Sequence, residues 1–287
     1  MAVQENTTLS ADFAKAQSID FVNRFNGSIT KLQELLNITR RTPLTSGSLI
    51  KTYSNVVTLA NGTVAEGELI PLSKIEQKVA ETYELAYSKY RKAVTLEAIQ
   101  RSGFDEAVTE TDNKLLRQVQ SEIRKSFAAF LAKGTSTATG DSLQPAVSNA
   151  WGKLQILFED DAAGDVIVLV NPMDASKYIG SANISTQTAF GMTYFSTFMD
   201  VKLLTNASVP EGKFYATVAD NLNIAYPLIS GGEINKAFNF TTDATGLIGI
   251  THTPDNTRTN FETTILTGLT IFAERLDGIV VGTISGT

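Results

Sequence analysis

The stretch of sequence that decides the fold spans residues 48–91 and reads SLIKTYSNVVTLANGTVAEGELIPLSKIEQKVAETYELAYSKYR. Several apolar residues recur on one parity before the dipeptide Asn61-Gly62 and on one parity again after it; they are Tyr53, Val57 and Leu59, then Ile75, Val79, Tyr83, Leu85 and Tyr87. This pattern predicts two antiparallel strands with a turn at Asn61-Gly62. Charged side chains occupy so many of the other positions that neither strand is expected inside a sandwich.

The predicted ribbon carries no core of its own, and a two-stranded ribbon alone is only marginally stable in water. We therefore expect it to lie against the body of its own subunit or against a neighbouring molecule that accepts its sparse apolar row. The plainer alternative is an ordinary surface hairpin of a monomer. The stretch is long, however, for a hairpin that serves only its own domain.

The composition is that of an ordinary globular protein: 287 residues, 43% hydrophobic and 19% charged, enough for one large domain or two modest ones. With no cysteine and a single histidine, His252, the chain has no disulfides, no thiolate catalysis and no multi-histidine metal site. The net charge of −6 argues against sequence-specific DNA binding. No apolar window approaches the ~18 residues of a membrane span, and no secretory signal is evident, so we expect a cytoplasmic protein.

Helical patterns flank the ribbon on both sides. Residues 10–36 have the pattern of an amphipathic N-terminal helical segment. Residues 111–133 predict one long helix, whose apolar stripe recurs at spacings of three and four: Leu116, Val119, Ile123, Phe127 and Phe130. Thr109 with Asp112 resembles a capping box at its start, and Gly134 is expected to end it. We interpret the stripe as a packing face against a sheet rather than as a ligand groove.

The second half of the sequence mixes helices and strands. The low-complexity residues 134–142 predict a loop or hinge at a domain boundary. A helix from Pro145, a buried strand over residues 165–170 and a helix capped by Asn171 follow. Residues 261–275 and 278–285 are expected to pair as a closing hairpin around Leu276-Asp277. Together these patterns predict an α+β architecture with two packed regions.

Residue patterns typical of enzymes are missing. His252 is the sole candidate base and no nucleophile elbow accompanies it, so we interpret it as structural. The paired carboxylates of Glu66 and Glu68 lie on the predicted ribbon rather than on a rigid pocket wall. We therefore predict a non-enzymatic protein with no catalytic residue, no metal and no cofactor. The alternative that stays open is a metal-dependent cytoplasmic hydrolase using Asp160, Asp161 and Asp165.

Three phrases and the order of the predicted parts carry a resemblance to a known family. The phrases are AEGELIPL at residues 65–72, VLVNPMD at 168–174 and VPEGKFYAT at 209–217. The parts are an amphipathic N-terminal arm, an extended β loop, a long spine helix, an α/β lobe and closing strands. Over nearly its whole length the chain resembles the major capsid proteins of tailed bacteriophages.

The resemblance implies an α+β fold with the domain division of that family. The divisions are an N-terminal arm (1–47), an extended β-hairpin loop (48–92), a peripheral domain with the spine helix (93–141), an α/β axial domain (142–251) and C-terminal strands of the peripheral domain (252–287). It also implies a major capsid protein of the virion. Such a protein self-assembles in the host cytoplasm as hexamers and pentamers, forming an icosahedral shell around packaged double-stranded DNA.

Partners and contacts follow from the same resemblance. The expected partners are other copies of the chain and a portal. A separate scaffolding protein, or else scaffold-free assembly, is expected because the segment before the ribbon is too short for a built-in scaffolding region. Inter-subunit contacts are expected from the extended loop, at Glu66, Gly67, Glu68, Pro71 and Lys74. A covalent cross-link is not expected, since the predicted tip at Asn61-Gly62 lacks a lysine. The alternative is an encapsulin-like nanocompartment shell, which shares the fold and encloses protein cargo.

Overall fold

Four α-helices are among the described elements. The computed structural model describes residues 36, 39–45, 47–159, 165–181, 186–189, 192–195, 201–229 and 237–286. The helix predicted over residues 10–36 lies outside them, apart from the buried Leu36, and so do Asp160 and Asp161. The α-helices are α1 (Leu96–Ser102), α2 (Thr111–Leu131), α3 (Leu143–Leu157) and α4 (Pro172–Ser181).

Strands fill most of the remaining described sequence. Before α3 they are β1 (Arg40–Leu44), β2 (Leu49–Thr58), β3 (Lys74–Glu84), β4 (Ser88–Thr95) and β5 (Ser136–Gly140). After α3 they are β6 (Val166–Val170), β7 (Thr186–Ala189), β8 (Met192–Phe195), β9 (Lys202–Thr205), β10 (Lys213–Val218) and β11 (Leu222–Pro227). The last are β12 (Thr241–Thr242), β13 (Ile248–Asp255), β14 (Asn260–Thr267), β15 (Thr270–Ala273) and β16 (Ile279–Ile284).

The described strands form five sheets. The largest has the strand order β5-β16-β10-β6-β9, in which β5 runs parallel to β16 and β6 parallel to β9. A four-stranded antiparallel sheet has the order β12-β13-β14-β4, and a three-stranded sheet the order β1-β11-β15. The pairs β2-β3 and β7-β8 stand as two-stranded sheets. The predicted mixture of helix and strand is confirmed.

The core lies on both faces of the five-stranded sheet, and this explains why every residue of β6 is buried and apolar. Ile167 and Leu169 belong to one hydrophobic cluster, which also contains the predicted stripe of α2. Val168 belongs to a second cluster, on the other face, with the inner face of α3. The stripe on α2 is therefore a packing face, as predicted.

Helix α2 begins differently from the prediction. A π-helical turn over Asp105–Glu110 runs directly into it, so Thr109 is inside helical backbone and the predicted capping box is wrong. The side chain of Asp112 instead contacts Lys92 and His252. The cap predicted for α4 is present, since the Met173 N–H donates to Asn171 Oδ1 at 2.8 Å.

Residues 134–142 do not form the predicted loop, because β5 occupies positions 136–140 and pairs in parallel with β16. The pairing brings two backbones into close approach. A Cβ on Gly134 would meet the Ile279 carbonyl oxygen at 2.5 Å, so only glycine fits there without a shift. The glycine at 134 thus serves packing between segments far apart in sequence.

The closing hairpin predicted around Leu276-Asp277 is also wrong. Strands β14, β15 and β16 belong to three different sheets and pair with β4 and β13, with β11, and with β5 and β10 respectively. The side chain of Asn221 fixes the bend before β16 by donating to the Arg275 carbonyl oxygen at 2.9 Å and accepting from the Arg275 N–H at 2.8 Å. The last described strand therefore lies in the sheet that contains β6, β9 and β10.

Candidate functional site

The paired strands β2 and β3 form a long antiparallel hairpin, as the sequence predicted. Its register places Val57 opposite Ile75 and Tyr53 opposite Val79, so the predicted apolar positions face one another across the two strands. A bulge between Thr52 and Tyr53 shifts the register once along the ladder. Cross-strand packing of this row holds the ribbon together, but it leaves the row open to solvent.

The tip of the hairpin is not at Asn61-Gly62. The chain reverses over residues 65–68, where the Glu68 N–H donates to the Ala65 carbonyl oxygen at 3.1 Å and Gly67 has a φ of 86°. Such a φ favours glycine, which explains the residue type at 67. Asn61 makes only a local turn, accepting from the Thr63 N–H at 3.0 Å. The tip therefore lies within the AEGELIPL phrase.

Exposed apolar side chains concentrate on the hairpin. Of the eighteen large hydrophobic residues exposed in the described part of the chain, ten lie between Leu49 and Val79. Leu69 and Leu72, beside the tip, are 92% and 95% exposed. Such a concentration of exposed apolar side chains on one element is typical of an interaction site.

All five residues predicted to make inter-subunit contacts are exposed on this hairpin: Glu66, Gly67, Glu68, Pro71 and Lys74. Two of them already have partners within the chain. Glu68 Oε2 accepts from the Ala65 N–H at 3.3 Å, and the Lys74 ammonium pairs with Glu76. Leu69 and Leu72 were not among the predicted contact residues, although the apolar run in AEGELIPL could have indicated them.

The base of the hairpin is anchored in the protein body. Tyr83 packs edge-on against Phe130 of α2, with ring centroids 6.4 Å apart, and its ring lies tilted against Phe272 of β15 at 5.9 Å. Burial, assisted by the charge of Glu81, raises the pKa of the Tyr83 hydroxyl. Leu85 follows and is fully buried. The hairpin thus projects as an extension of the core.

A polar cluster ties α2 to the four-stranded sheet. Lys92 Nζ lies 2.5 Å from Asp112 Oδ1, and His252 Nε2 lies 2.8 Å from Asp112 Oδ2. Burial lowers the pKa of Lys92, against the effect of the neighbouring carboxylate. Burial by itself raises the pKa of Asp112, but hydrogen bonds led by the one from Lys92 outweigh it and lower the pKa below its usual value. His252 also stacks on Phe261, so its contacts are structural.

Of the three carboxylates that the hydrolase alternative requires, only that of Asp165 belongs to the described residues. Asp165 forms an exposed ion pair with Lys202. Within the described ranges, no three acidic or histidine side chains converge as a metal-binding group. No helix in the described part of the chain is both long and apolar enough to span a bilayer.

Comparison with known proteins finds no matching family model and no matching curated protein, but solved structures match in fold. The SrpI encapsulin of Synechococcus elongatus has a TM-score of 0.62 at 11% identity, covering 94% of this chain and 92% of that one. The mature capsid of bacteriophage PhiM1 has 0.57 at 8% identity, covering 99% and 91%. The capsid of an empty GTA particle has 0.58 at 12% identity, covering 96% and 95%.

The class of fold follows from these likenesses together with the element order. It is the fold of subunits that build closed protein shells. More narrowly, the chain has the tailed-bacteriophage major capsid fold, which encapsulins share. The predicted fold class is confirmed, whereas the predicted domain boundaries and contact residues stay predictions.

Proposed function

We propose that the protein is the structural subunit of an icosahedral shell, in which the hairpin β2-β3 of one subunit lies on a neighbouring copy. The observation that carries the proposal is the exposed apolar surface of this hairpin. A monomer leaves that surface in water, whereas a second copy of the chain buries it. The fold likeness to capsid and encapsulin subunits supports a second copy as the partner.

The two leucines beside the tip dominate the expected contact. Burying one exposed leucine side chain stabilises by about 1.5–3 kcal/mol, so Leu69 and Leu72 together contribute up to about 6 kcal/mol per subunit before the entropy of association is subtracted. In a closed shell every subunit gives one hairpin and receives another, so the gain repeats around the particle. The ionic contacts proposed for Glu66, Glu68 and Lys74 add less, because all three side chains are exposed.

The finer proposal is a major capsid protein of a tailed phage. In it, hexamers and pentamers tile a procapsid and then a virion shell around double-stranded DNA, with a separate scaffolding protein and a portal as further partners, and assembly takes place in the host cytoplasm. The order of parts in the sequence and the likeness to the phage PhiM1 capsid support this reading. A net charge of −6 suits a container that does not grip its DNA tightly.

The second candidate is a nanocompartment shell that encloses protein. The likeness to the SrpI encapsulin supports it as directly as the phage capsids support the first candidate. Particles purified from the native source separate the two. Nuclease-protected double-stranded DNA identifies a phage capsid, and a co-purifying enzyme identifies a nanocompartment.

Electron microscopy with light scattering tests shell formation itself. The full chain is purified alone and together with the product of its neighbouring open reading frame. We expect closed shells, or rings of five or six subunits. The Leu69→Asp/Leu72→Asp variant is expected to abolish them with an unchanged melting temperature, because both side chains lie outside the core. Ile156→Asp, which changes an exposed residue of α3, is the matched control.

Two results would refute the proposal. One is a persistent monomer under both expression conditions. The other is normal shells from the double leucine variant. A separate triple variant, Glu66→Ala/Glu68→Ala/Lys74→Ala, tests the ionic contacts alone, and normal assembly of that variant removes only this part of the proposal.

A further inference from the structure

Strand β4 leaves one edge of the four-stranded sheet open. In the order β12-β13-β14-β4, only β14 pairs with β4 among the described strands. The first half of β4 lies at the surface, with Lys89, Tyr90 and Arg91 all exposed. The outer N–H and C=O groups of such an edge strand are a template for pairing with an extended segment of another chain.

The side chains of this edge are basic. Lys89 forms no ion pair within the part of the chain that the structure describes. Arg91 Nη1 lies 3.7 Å from Glu262 Oε2, a loose pair in which the Arg91 side chain stays 48% exposed. Basic residues keep the edges of two copies of β4 from pairing with each other, because like charges would meet. The same residues favour a strand that carries carboxylates.

Residues 68–72, the tip segment, follow the turn of the hairpin and have the complementary properties. After its first residue, the segment makes no backbone hydrogen bond to the described part of the chain. Backbone groups of an extended strand point alternately to its two sides, and Pro71 has no N–H to donate. Ile70 and Leu72 therefore offer their N–H groups on the side opposite to that of Pro71. Glu66, just before the segment, forms no ion pair with the described residues.

One subunit cannot pair its own tip segment with its own β4. The 11 residues of β3, from Lys74 at the tip end to Glu84 at the base, span about 33 Å. The link from Glu84 to Lys89 spans at most about 18 Å. Lys74 therefore lies at least about 15 Å from Lys89 of the same chain, whereas paired strands lie about 4.8 Å apart. The tip segment lies beyond Lys74, so its strand partner is on another molecule.

We propose that the tip segment of one subunit pairs, as an added strand, with the open edge of β4 in a second copy of the chain. This inference rests on the shell function proposed above, and it names the surface that receives the hairpin. The carboxylates of Glu66 and Glu68 lie beside Lys89 in this arrangement. Tyr90, 37% exposed, offers the leucines of the tip segment an apolar contact. The main chain provides the pairing, and the charges select which strand is accepted.

Disulfide trapping in assembled particles tests the contact, since the chain contains no cysteine of its own. Leu72→Cys is combined in turn with Lys89→Cys, Tyr90→Cys and Arg91→Cys, and the oxidised shells are run on a non-reducing gel. We expect covalent multimers from at least one pair, because residues opposite each other on paired strands have Cβ atoms about 4.5–5.5 Å apart. Leu72→Cys with Ile156→Cys, at an exposed position of α3, is the matched control and is expected to stay monomeric on the gel.

Exchanging the charges tests why this strand is accepted. Glu66→Lys/Glu68→Lys and, separately, Lys89→Glu/Arg91→Glu are each expected to lower the yield of sedimenting particles roughly 10-fold or more, because like charges then meet. A chain that carries both changes is expected to regain the yield. Lys133→Glu, at an exposed position just after α2, is the control and leaves the yield unchanged. If a variant with Arg91→Glu fails to fold by circular dichroism, Lys89→Glu alone decides.

Amide hydrogen exchange distinguishes main-chain pairing from a contact of side chains only. Amides of residues 88–91 are expected to exchange more slowly in shells than in dissociated subunits. The proposal is overturned, and the shell function left standing, if wild-type shells form but none of the three cysteine pairs cross-links or exchange in residues 88–91 is unchanged. A wild-type chain that forms no particle removes the shell function, and the docking proposal with it.

Discussion

Replacing Asp112 with alanine is expected to destabilise the fold by about 3–5 kcal/mol, because it leaves a buried ammonium without its counterion. The Lys92 and Asp112 side chains are only 11% and 14% exposed. Without the carboxylate, the acceptors left to Lys92 among the described residues are neutral, including the Val108 carbonyl oxygen at 3.1 Å. The substitution also removes the partner of His252 and so loosens β13 from α2.

The expected loss is large enough to measure in two ways. At about 2–4 °C per kcal/mol for a domain of this size, the melting temperature falls by roughly 6–20 °C. Urea unfolding followed by circular dichroism gives the free energy directly. The matched control is Asp165→Ala, which removes the carboxylate of an ion pair whose two side chains are about half exposed, and which costs no more than about 1 kcal/mol.

A double variant distinguishes the cost of burying an unpaired charge from the loss of the ion pair itself. Replacing both partners with apolar residues, as in Lys92→Met/Asp112→Leu, is expected to recover most of the stability that Asp112→Ala loses, because no charge is then buried unpaired. If Asp112→Ala costs no more unfolding free energy than Asp165→Ala, the Lys92 ammonium does not need its carboxylate partner for stability. A double variant less stable than Asp112→Ala would contradict a burial cost for the unpaired ammonium.

The further predictions concern pH and three glycines. The pKa of Asp112 in the folded protein lies below the unfolded value of 3.8. The stability that its ionisation contributes is therefore present above pH 3.8 and is lost as the pH falls through the folded pKa. In urea unfolding at acidic pH, Asp112→Asn is expected to show no such decrease in stability. Gly282→Ala puts a Cβ 2.0 Å from the buried Phe214 ring and is expected to cost about 1–3 kcal/mol of unfolding free energy, whereas Gly152→Ala in α3 meets nothing within 4 Å and is expected to stabilise slightly. Gly67→Ala strains a residue with φ 86° by roughly 1–2 kcal/mol, so amide hydrogen exchange is expected to rise at the tip while the melting temperature holds.

Elements that depend on local periodicity were predictable from the sequence. The apolar stripe of α2 repeats every three or four residues, which indicates a helix, and the apolar positions of the hairpin repeat every two, which indicates strands. The cap of α4 is equally local, since Asn171 acts on a residue two positions away. In these cases a short segment contains both partners of the interaction.

Elements that depend on distant partners were not predictable, because the segment itself contains only one partner of the interaction. Strand β5 is short and rich in serine and threonine, and it becomes a strand only because β16 pairs with it. Asp112 has the spacing of a capping residue, but its carboxylate pairs instead with Lys92 of β4 and His252 of β13. At the candidate site, the exposure of Leu69 was not predicted, because the sequence placed the tip at Asn61-Gly62 rather than at Gly67.

The position of β16 has a consequence for how the chain is made. Residues 279–284 fill the gap between β5 and β10, so the five-stranded sheet stays divided until they leave the ribosome. The base of the hairpin also lacks support until β15 has been synthesised. Phe272 of β15 packs against Tyr83, and the Thr270 hydroxyl donates to the Glu84 carbonyl oxygen at 3.0 Å. Nascent chains on one polysome therefore present their hairpins before the supporting fold is complete. The five-stranded sheet and the support of the hairpin therefore form only once the residues up to position 284 have been synthesised.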